Sequence, residues 1–182
     1  MSRASLLAPL LFLASSSAQS ITILPLGDSI TFGCGTDGLP SGSADCAADA
    51  GGYRVPLLWS LTQANWADQT LQQAQARAQL NVSTVGTRTT GPSTVPISWT
   101  HHEGWPGYRI DQLDDPLERQ RWTATNPDVI LVHLGTNDCA QNYQPATLAT
   151  KMELLLNHTY EALPHTHVFL ASILHMPNFA PK

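Results

Sequence analysis

Ser29 stands just beyond an apolar run, in the string Gly27-Asp28-Ser29-Ile30, and the run Ile21 to Leu26 reads as a strand buried on both faces. A glycine there permits a tight exit from the strand, and a helix beginning near Ser29 aims free N–H groups at whatever binds above it. A serine so placed can attack a carbonyl while its own backbone N–H holds the oxyanion. On this string alone, a serine that only caps a helix is an equally good reading. A second string, Gly135-Thr136-Asn137-Asp138, follows the strand-like run Val129 to Leu134. The Asn137 amide can donate to a developing oxyanion, or Asn137 or Asp138 can simply cap the next helix. The third string, Glu103-Gly104-Trp105-Pro106-Gly107-Tyr108, leads into helix-like sequence. Its glycines can bring bare N–H groups close to a ligand, and Trp105 and Tyr108 can wall a sugar site. Two packing aromatics in a Gly/Pro turn remain the plainer reading.

The elements that must position these strings alternate in type. Tyr53 to Trp66 carries Val55, Leu58 and Leu61 at helical spacing, with Pro56 tolerable in its first turn. Val82 to Val85 reads as a second strand, and Thr87 to Thr100 as a loop broken by Pro92 and Pro96. A helix is expected over Arg109 to Trp122, which Pro116 either kinks or starts. Ala146 to Leu163 reads as a helix and Val168 to Leu174 as a strand. Strands alternating with helices predict an α/β fold with a parallel sheet covered on both faces. In such sheets the functional loops lie at the carboxyl ends of the strands, where all three strings fall.

Composition narrows the function classes. Arg3, the apolar stretch Leu6 to Ala14 and the small residues Ser16, Ser17 and Ala18 read as a secretory signal peptide over 1–18, leaving 19–182 as one domain. No later segment approaches the roughly 18 uninterrupted apolar residues of a membrane span. The formal charge is −5 and the 9 basic residues are scattered, which argues against nucleic acid or an anionic membrane as the partner. Of the three cysteines, Cys34 and Cys46 flank a Gly/Ser/Asp-rich loop that a disulfide would close, leaving Cys139 odd. The sequons at Asn81 and Asn157 suit a secretory route.

The order and setting of the three strings resemble the SGNH/GDSL hydrolase superfamily, over roughly Ile21 to Leu174. Through Gly52-Tyr53-Arg54, Val85-Gly86-Thr87 and His102-Glu103-Gly104 the chain resembles the carbohydrate esterases of family three, the acetylxylan esterase group. The resemblance implies a flavodoxin-like three-layer α/β/α sandwich and a secreted, monomeric esterase with neither metal nor organic cofactor. It implies that Ser29 is the nucleophile, with its N–H in an oxyanion hole. Asn137 then supplies a side-chain donor, and a glycine N–H the third, Gly107 ahead of Gly104. Asp28 would brace the nucleophile turn and Asp138 the Asn137 loop, with Trp105 and Tyr108 against substrate. The implied substrate is an acetylated plant polysaccharide such as xylan. Pectin-type acetyl groups or lipids come next, and lipids are disfavoured because no long apolar lid-like segment is present.

The family's base is a histidine in an Asp-x-x-His motif near the C-terminus. None of His101, His102, His133, His158, His165, His167 and His175 has an aspartate three residues before it. His175 is the best substitute, with His101 and His102 next. The expectation is a chain that stops before the family's last helix, strand and catalytic loop, with an open sheet edge and impaired activity. The non-enzyme alternative is a carbohydrate-binding relative that uses Trp105 and Tyr108 as a stacking surface.

Overall fold

The computed structural model describes residues 20–34, 46, 51–62 and 81–173. The expected signal peptide, His175 and the ends of two expected elements (63–66 and 174) lie outside them. Strand β1 (Ser20–Gly27) runs through the middle of the sheet, and its residues alternate as a two-residue period requires. Ile21 and Ile23 face one layer, Leu24 and Leu26 the other. One side of β1 is shared. Strand β2 (Asn81–Thr84) pairs with its first half, and β4 (His101–Gly104) pairs beside its end, with Gly27 opposite Gly104. On the other side β5 (Val129–His133) pairs from Ile23 to Gly27, and β6 (His167–Leu170) pairs with β5. All these ladders are parallel. The short β3 (Arg88–Thr89) runs antiparallel to β4.

Six described α-helices cover this sheet: α1 (Ser29–Phe32), α2 (Arg54–Thr62), α3 (Ile110–Leu113), α4 (Pro116–Thr123), α5 (Thr136–Ala140) and α6 (Leu148–Ala162). Ile110, Leu113, Trp122, Met152 and Leu155 from α3, α4 and α6 close over Leu24, Leu26, Ile130, Val132 and Leu134. On the opposite face, Leu58 and Leu61 of α2 pack against Ile23, Val82, Val129 and Leu131. The expected three-layer sandwich with a mainly parallel sheet is therefore present.

Two details depart from the sequence reading. The helix expected over Arg109–Trp122 is two helices. Pro116 lacks an N–H and sits at the first position of α4, where none is needed, and Asp115 accepts the Leu117 N–H at 3.0 Å as its cap. The expected loop Thr87–Thr100 holds β3 and a 3₁₀ turn, Ile97–Trp99, and leads directly into β4. Cys34 and Cys46 form the expected disulfide, and Cys139 is free and partly buried. Along β6, Phe169 and Leu170 are exposed. Apolar clefts of about 590 Å³ and about 370 Å³ lie on its two faces, one beside α6 and one beside α2.

Candidate active site

Register brings the three sequence strings together. Gly27 is opposite Gly104 of β4 on one side and His133 of β5 on the other, so the carboxyl ends of three strands lie abreast. Ser29 follows the first end, Trp105 to Gly107 the second, and Gly135 to Asp138 the third. The chain turns sharply at the first because nothing larger than glycine fits. A Cβ on Gly27 would stand 2.2 Å from the His133 carbonyl oxygen and 2.3 Å from Thr31 Oγ1.

Asp28 is the cap of α1. Its Oδ1 accepts the Ile30 N–H at 3.0 Å, and the side chain is fully buried. Burial pushes its carboxyl above the usual carboxylate range, opposed by the Ile30 hydrogen bond and by the neighbouring His133. Ser29 itself is half-buried at the first position of α1. Among the described residues its backbone N–H has no protein acceptor, and its Oγ bonds no histidine. Gly33 ends α1 in the left-handed region, and the Ser29 carbonyl accepts the N–H groups of Gly33 and Cys34, both at 2.9 Å.

The two glycine candidates for an oxyanion donor have different fates. The Gly104 N–H donates to His102 Nδ1 at 2.8 Å and is not available. Gly104 serves packing instead, because a Cβ there would lie 2.4 Å from the Phe32 nitrogen and 2.8 Å from its Cα. Gly107 is exposed with φ +82°, and its N–H has no protein acceptor among the described residues. Gly104→Ala is expected to push α1 off β4 and lose about 1–3 kcal/mol of stability. Gly107→Ala meets nothing within 4 Å and adds only left-handed strain, about 1 kcal/mol. Thermal melting of the two variants checks the contrast, and equal losses would contradict this account of Gly104.

The Asn137 turn is tied to the segment before α3. Asn137 Nδ2 donates to the Tyr108 carbonyl at 2.9 Å, and its second amide hydrogen has no protein acceptor among the described residues. Gln141 Nε2 donates to the Gly107 carbonyl at 2.9 Å. Asp138 is fully buried. Its Oδ2 accepts the Ile110 N–H at 3.0 Å and its Oδ1 the Lys151 ammonium at 3.1 Å, which locks α3, α5 and α6 to one another. Trp105 and Tyr108 stack with ring centroids 5.1 Å apart, and Trp105 Nε1 donates to Glu103 Oε2 at 2.8 Å. Glu103 also accepts the Thr87 N–H. The two aromatics therefore form a fixed pair beside Gly107.

The histidines separate clearly. His102 is fully buried with both ring nitrogens engaged: Nδ1 accepts from Gly104, and Nε2 meets Thr90 Oγ1 at 2.7 Å. It supports β4 and is not free to take a proton from Ser29. His158, on α6, pairs with Asp114 at the end of α3 at 2.9 Å, and His165 and His167 are exposed near the start of β6. His101 is half-buried. His133 is buried at the end of β5, and neither ring nitrogen has a hydrogen-bond partner among the described residues. Sequence reasoning gave His133 and Arg88 no part, and named Arg54 only within the string Gly52-Tyr53-Arg54, without a role.

Arg54, at the head of α2, is 1% exposed and is the bracket behind α1. Its Nε donates to the Thr31 carbonyl at 2.9 Å, Nη2 to the carbonyls of Phe32 at 3.1 Å and Thr90 at 2.9 Å, and Nη1 to Thr100 at 3.2 Å. Burial pulls its guanidinium down to about 10 despite the neighbouring Tyr53. A cation inside an otherwise apolar helix start, in Tyr53-Arg54-Val55-Pro56-Leu57-Leu58, was the available signal. No group of three or more metal-ligating side chains occurs among the described residues.

A parallel sheet with a serine turn at the exit of its central strand, and an Asn-Asp turn at the exit of the next, defines a class of three-layer α/β proteins with their site at one sheet edge. Within that class the chain belongs to the GDSL-like lipase/acylhydrolase family, whose model matches residues 26–182. It is 30% identical over 177 residues to a multidomain esterase of Ruminococcus flavefaciens, an alignment that covers 90% of this chain and 20% of that protein. It is similar in structure to the Clostridium thermocellum family 3 carbohydrate esterase, with a TM-score of 0.61 and 28% identity, covering 84% of this chain and 61% of that one. A family 3 carbohydrate esterase from Talaromyces cellulolyticus shares the fold at 19% identity and a TM-score of 0.53, covering 82% of this chain and 60% of that one. The chain thus spans 20% of the length of the curated relative and about 60% of these solved structures.

Proposed function

We propose that this chain carries the nucleophile of a secreted serine esterase that removes acetyl groups from a plant cell-wall polysaccharide such as xylan. The observation that carries the reading is the abreast placement of Ser29, Gly107 and Asn137, each with an unused N–H donor among the described residues. In the reaction, Ser29 Oγ attacks the ester carbonyl carbon and the carbonyl oxygen becomes an oxyanion. The donors for that charge are the Ser29 and Gly107 N–H groups and the free Asn137 amide hydrogen. The C–O bond to the sugar then breaks, the sugar hydroxyl leaves with a proton, and water hydrolyses the acyl-serine. The polysaccharide class is supported by the two family 3 carbohydrate esterases that share this fold, and by the Trp105–Tyr108 pair beside Gly107.

Proton removal from Ser29 Oγ requires a base, and none among the described residues is bonded to it. A serine that no base deprotonates is nearly fully protonated at neutral pH, so Ser29 acting without one turns over several orders of magnitude more slowly than a complete triad. The reading is tested by incubating the chain with a fluorophosphonate and locating the adduct by mass spectrometry, beside p-nitrophenyl acetate hydrolysis. Modification at Ser29, abolished in Ser29→Ala along with hydrolysis above background, is the expected result. Equal hydrolysis by both proteins, with no adduct at Ser29, would overturn the esterase reading and leave a carbohydrate-binding relative, which a xylan pull-down would detect.

A further inference from the structure

Arg88 reaches over the Trp105 ring with a guanidinium that makes no hydrogen bond among the described residues. It lies on β3 opposite His102, and its guanidinium carbon sits 4.3 Å from the Trp105 ring centroid and 5.2 Å from that of Phe32. Both rings are fixed to the nucleophile turn. Phe32 ends α1, whose first residue is Ser29, and the Trp105 N–H donates to the Gly27 carbonyl at 2.9 Å. Among the described residues no carboxylate lies within ion-pair distance of Arg88, and its N–H groups meet no acceptor. The nearby Glu103 is committed to the Trp105 indole and the Thr87 N–H. The contrast with Arg54 is sharp, since that guanidinium is spent on backbone carbonyls.

A guanidinium held over aromatic rings still has its N–H fork to offer a further partner, and the shape of that fork matches a carboxylate. Stacking also restricts the side chain beforehand, so less freedom is lost when a ligand binds. We infer that Arg88, held over the Phe32 and Trp105 rings that are tied to the Ser29 turn, is a carboxylate-recognition site suited to a uronic acid substituent on the polysaccharide. This rests on the polysaccharide reading above and goes beyond it, because it assigns the chain a preference for acidic over neutral backbones.

Isothermal titration tests it without turnover. The ligands are a xylo-oligosaccharide bearing one glucuronic acid, the same oligosaccharide without it, and sodium acetate at matched ionic strength. The acidic oligosaccharide should bind about tenfold more tightly than the neutral one. Arg88→Met should bring that ratio to about one while neutral binding persists, and Arg88→Lys should retain only part of it. Thermal melting verifies that both variants fold. Equal affinities in the unmodified chain, no measurable binding of the acidic ligand, or a preference that survives Arg88→Met would overturn the assignment. Acetate binding that matches the acidic oligosaccharide and depends on Arg88 would overturn the uronate source in favour of the released acyl group. Failure here leaves the Ser29 adduct standing, and a missing Ser29 adduct leaves this comparison valid.

Discussion

Replacing Arg54 by methionine is expected to lower the unfolding free energy by about 3–4 kcal/mol. Methionine fills much of the volume of the arginine stem but offers no donor. The substitution removes the Arg54 donor from the buried or part-buried carbonyls of Thr31, Phe32, Thr90 and Thr100, of which Thr100 still accepts the Thr90 N–H at 3.0 Å. Leaving one buried acceptor unpaired costs about 1–3 kcal/mol. Some of that loss is offset because a guanidinium no longer has to be desolvated, and the lowering of Arg54 to about 10 by burial shows that this desolvation is real. The remaining deficit falls on α1, a helix of 4 residues too short to hold itself. The Ser29 turn should therefore loosen together with the global loss. Arg54→Lys restores the charge but not the fork that reaches four carbonyls at once, so it should recover only part of the deficit. Urea unfolding measures all three proteins. A loss under about 1 kcal/mol for Arg54→Met would mean that α1 is held by something other than this bracket.

The parts of the fold that were legible in sequence are those where burial leaves a periodic trace. Strands β1 and β5 bury both faces and so appear as the nearly all-apolar runs Ile21–Leu26 and Val129–Leu134, interrupted only by Thr22 and His133. Helix α6 shows Met152 and Leu155 on one side because only that side meets the core. Strand β4 was illegible for the opposite reason. Its residues, His101-His102-Glu103-Gly104, contain no aliphatic side chain. It is held by its ladder to β1 and by hydrogen bonds through buried His102 and Glu103, an arrangement that leaves no hydrophobic pattern to read. The Pro116 boundary was legible as a question and became an answer only through the Asp115 cap.

The candidate site divides in the same way. Ser29, Asn137 and the glycines could be named from strand-end motifs, because a strand followed by a turn fixes where a side chain emerges. What joins them depends on inter-strand register, Gly27 against both Gly104 and His133, which no local window contains. The strings that carried the resemblance also acquire physical reasons. Gly86 lies where a Cβ would stand 2.5 Å from the His102 backbone, Arg54 brackets α1, and His102 takes the Gly104 N–H. The choice between Gly104 and Gly107 as donor turned on that last hydrogen bond, which spacing alone does not encode.

His102 leads to the second large effect, an acid sensitivity built into β4. Burial, followed by the Arg54, Arg88 and His101 charges, lowers its imidazole to about 3 in the folded chain, against an ordinary 6.5. The geometry agrees. Nδ1 accepts the Gly104 N–H, so it is the unprotonated nitrogen, and Nε2–H is left to donate to Thr90 Oγ1. Because the folded value lies below the unfolded one, the unfolded chain takes up the proton first as pH falls. Stability contributed by neutral His102 is therefore fully present above pH ~6.5 and is lost progressively toward pH ~3, at about 1.4 kcal/mol per pH unit. Asp28 has the opposite sign. Its raised carboxyl favours the folded state on protonation, which stabilises the fold as pH falls through that raised value toward 3.8. Asp128, lowered by the backbone and hydroxyl hydrogen bonds of Thr22, loses its contribution only below 3.8. The upper part of the window, just below pH 6.5, thus belongs mainly to His102 among these three. His102→Asn offers Gly104 a carbonyl acceptor without an imidazole that titrates. It should lose some stability at pH 7.5 but show a flatter decline than the parent chain between pH 6.5 and 5. Urea midpoints at half-unit steps read the difference, and parallel declines in the two proteins would remove His102 as the cause.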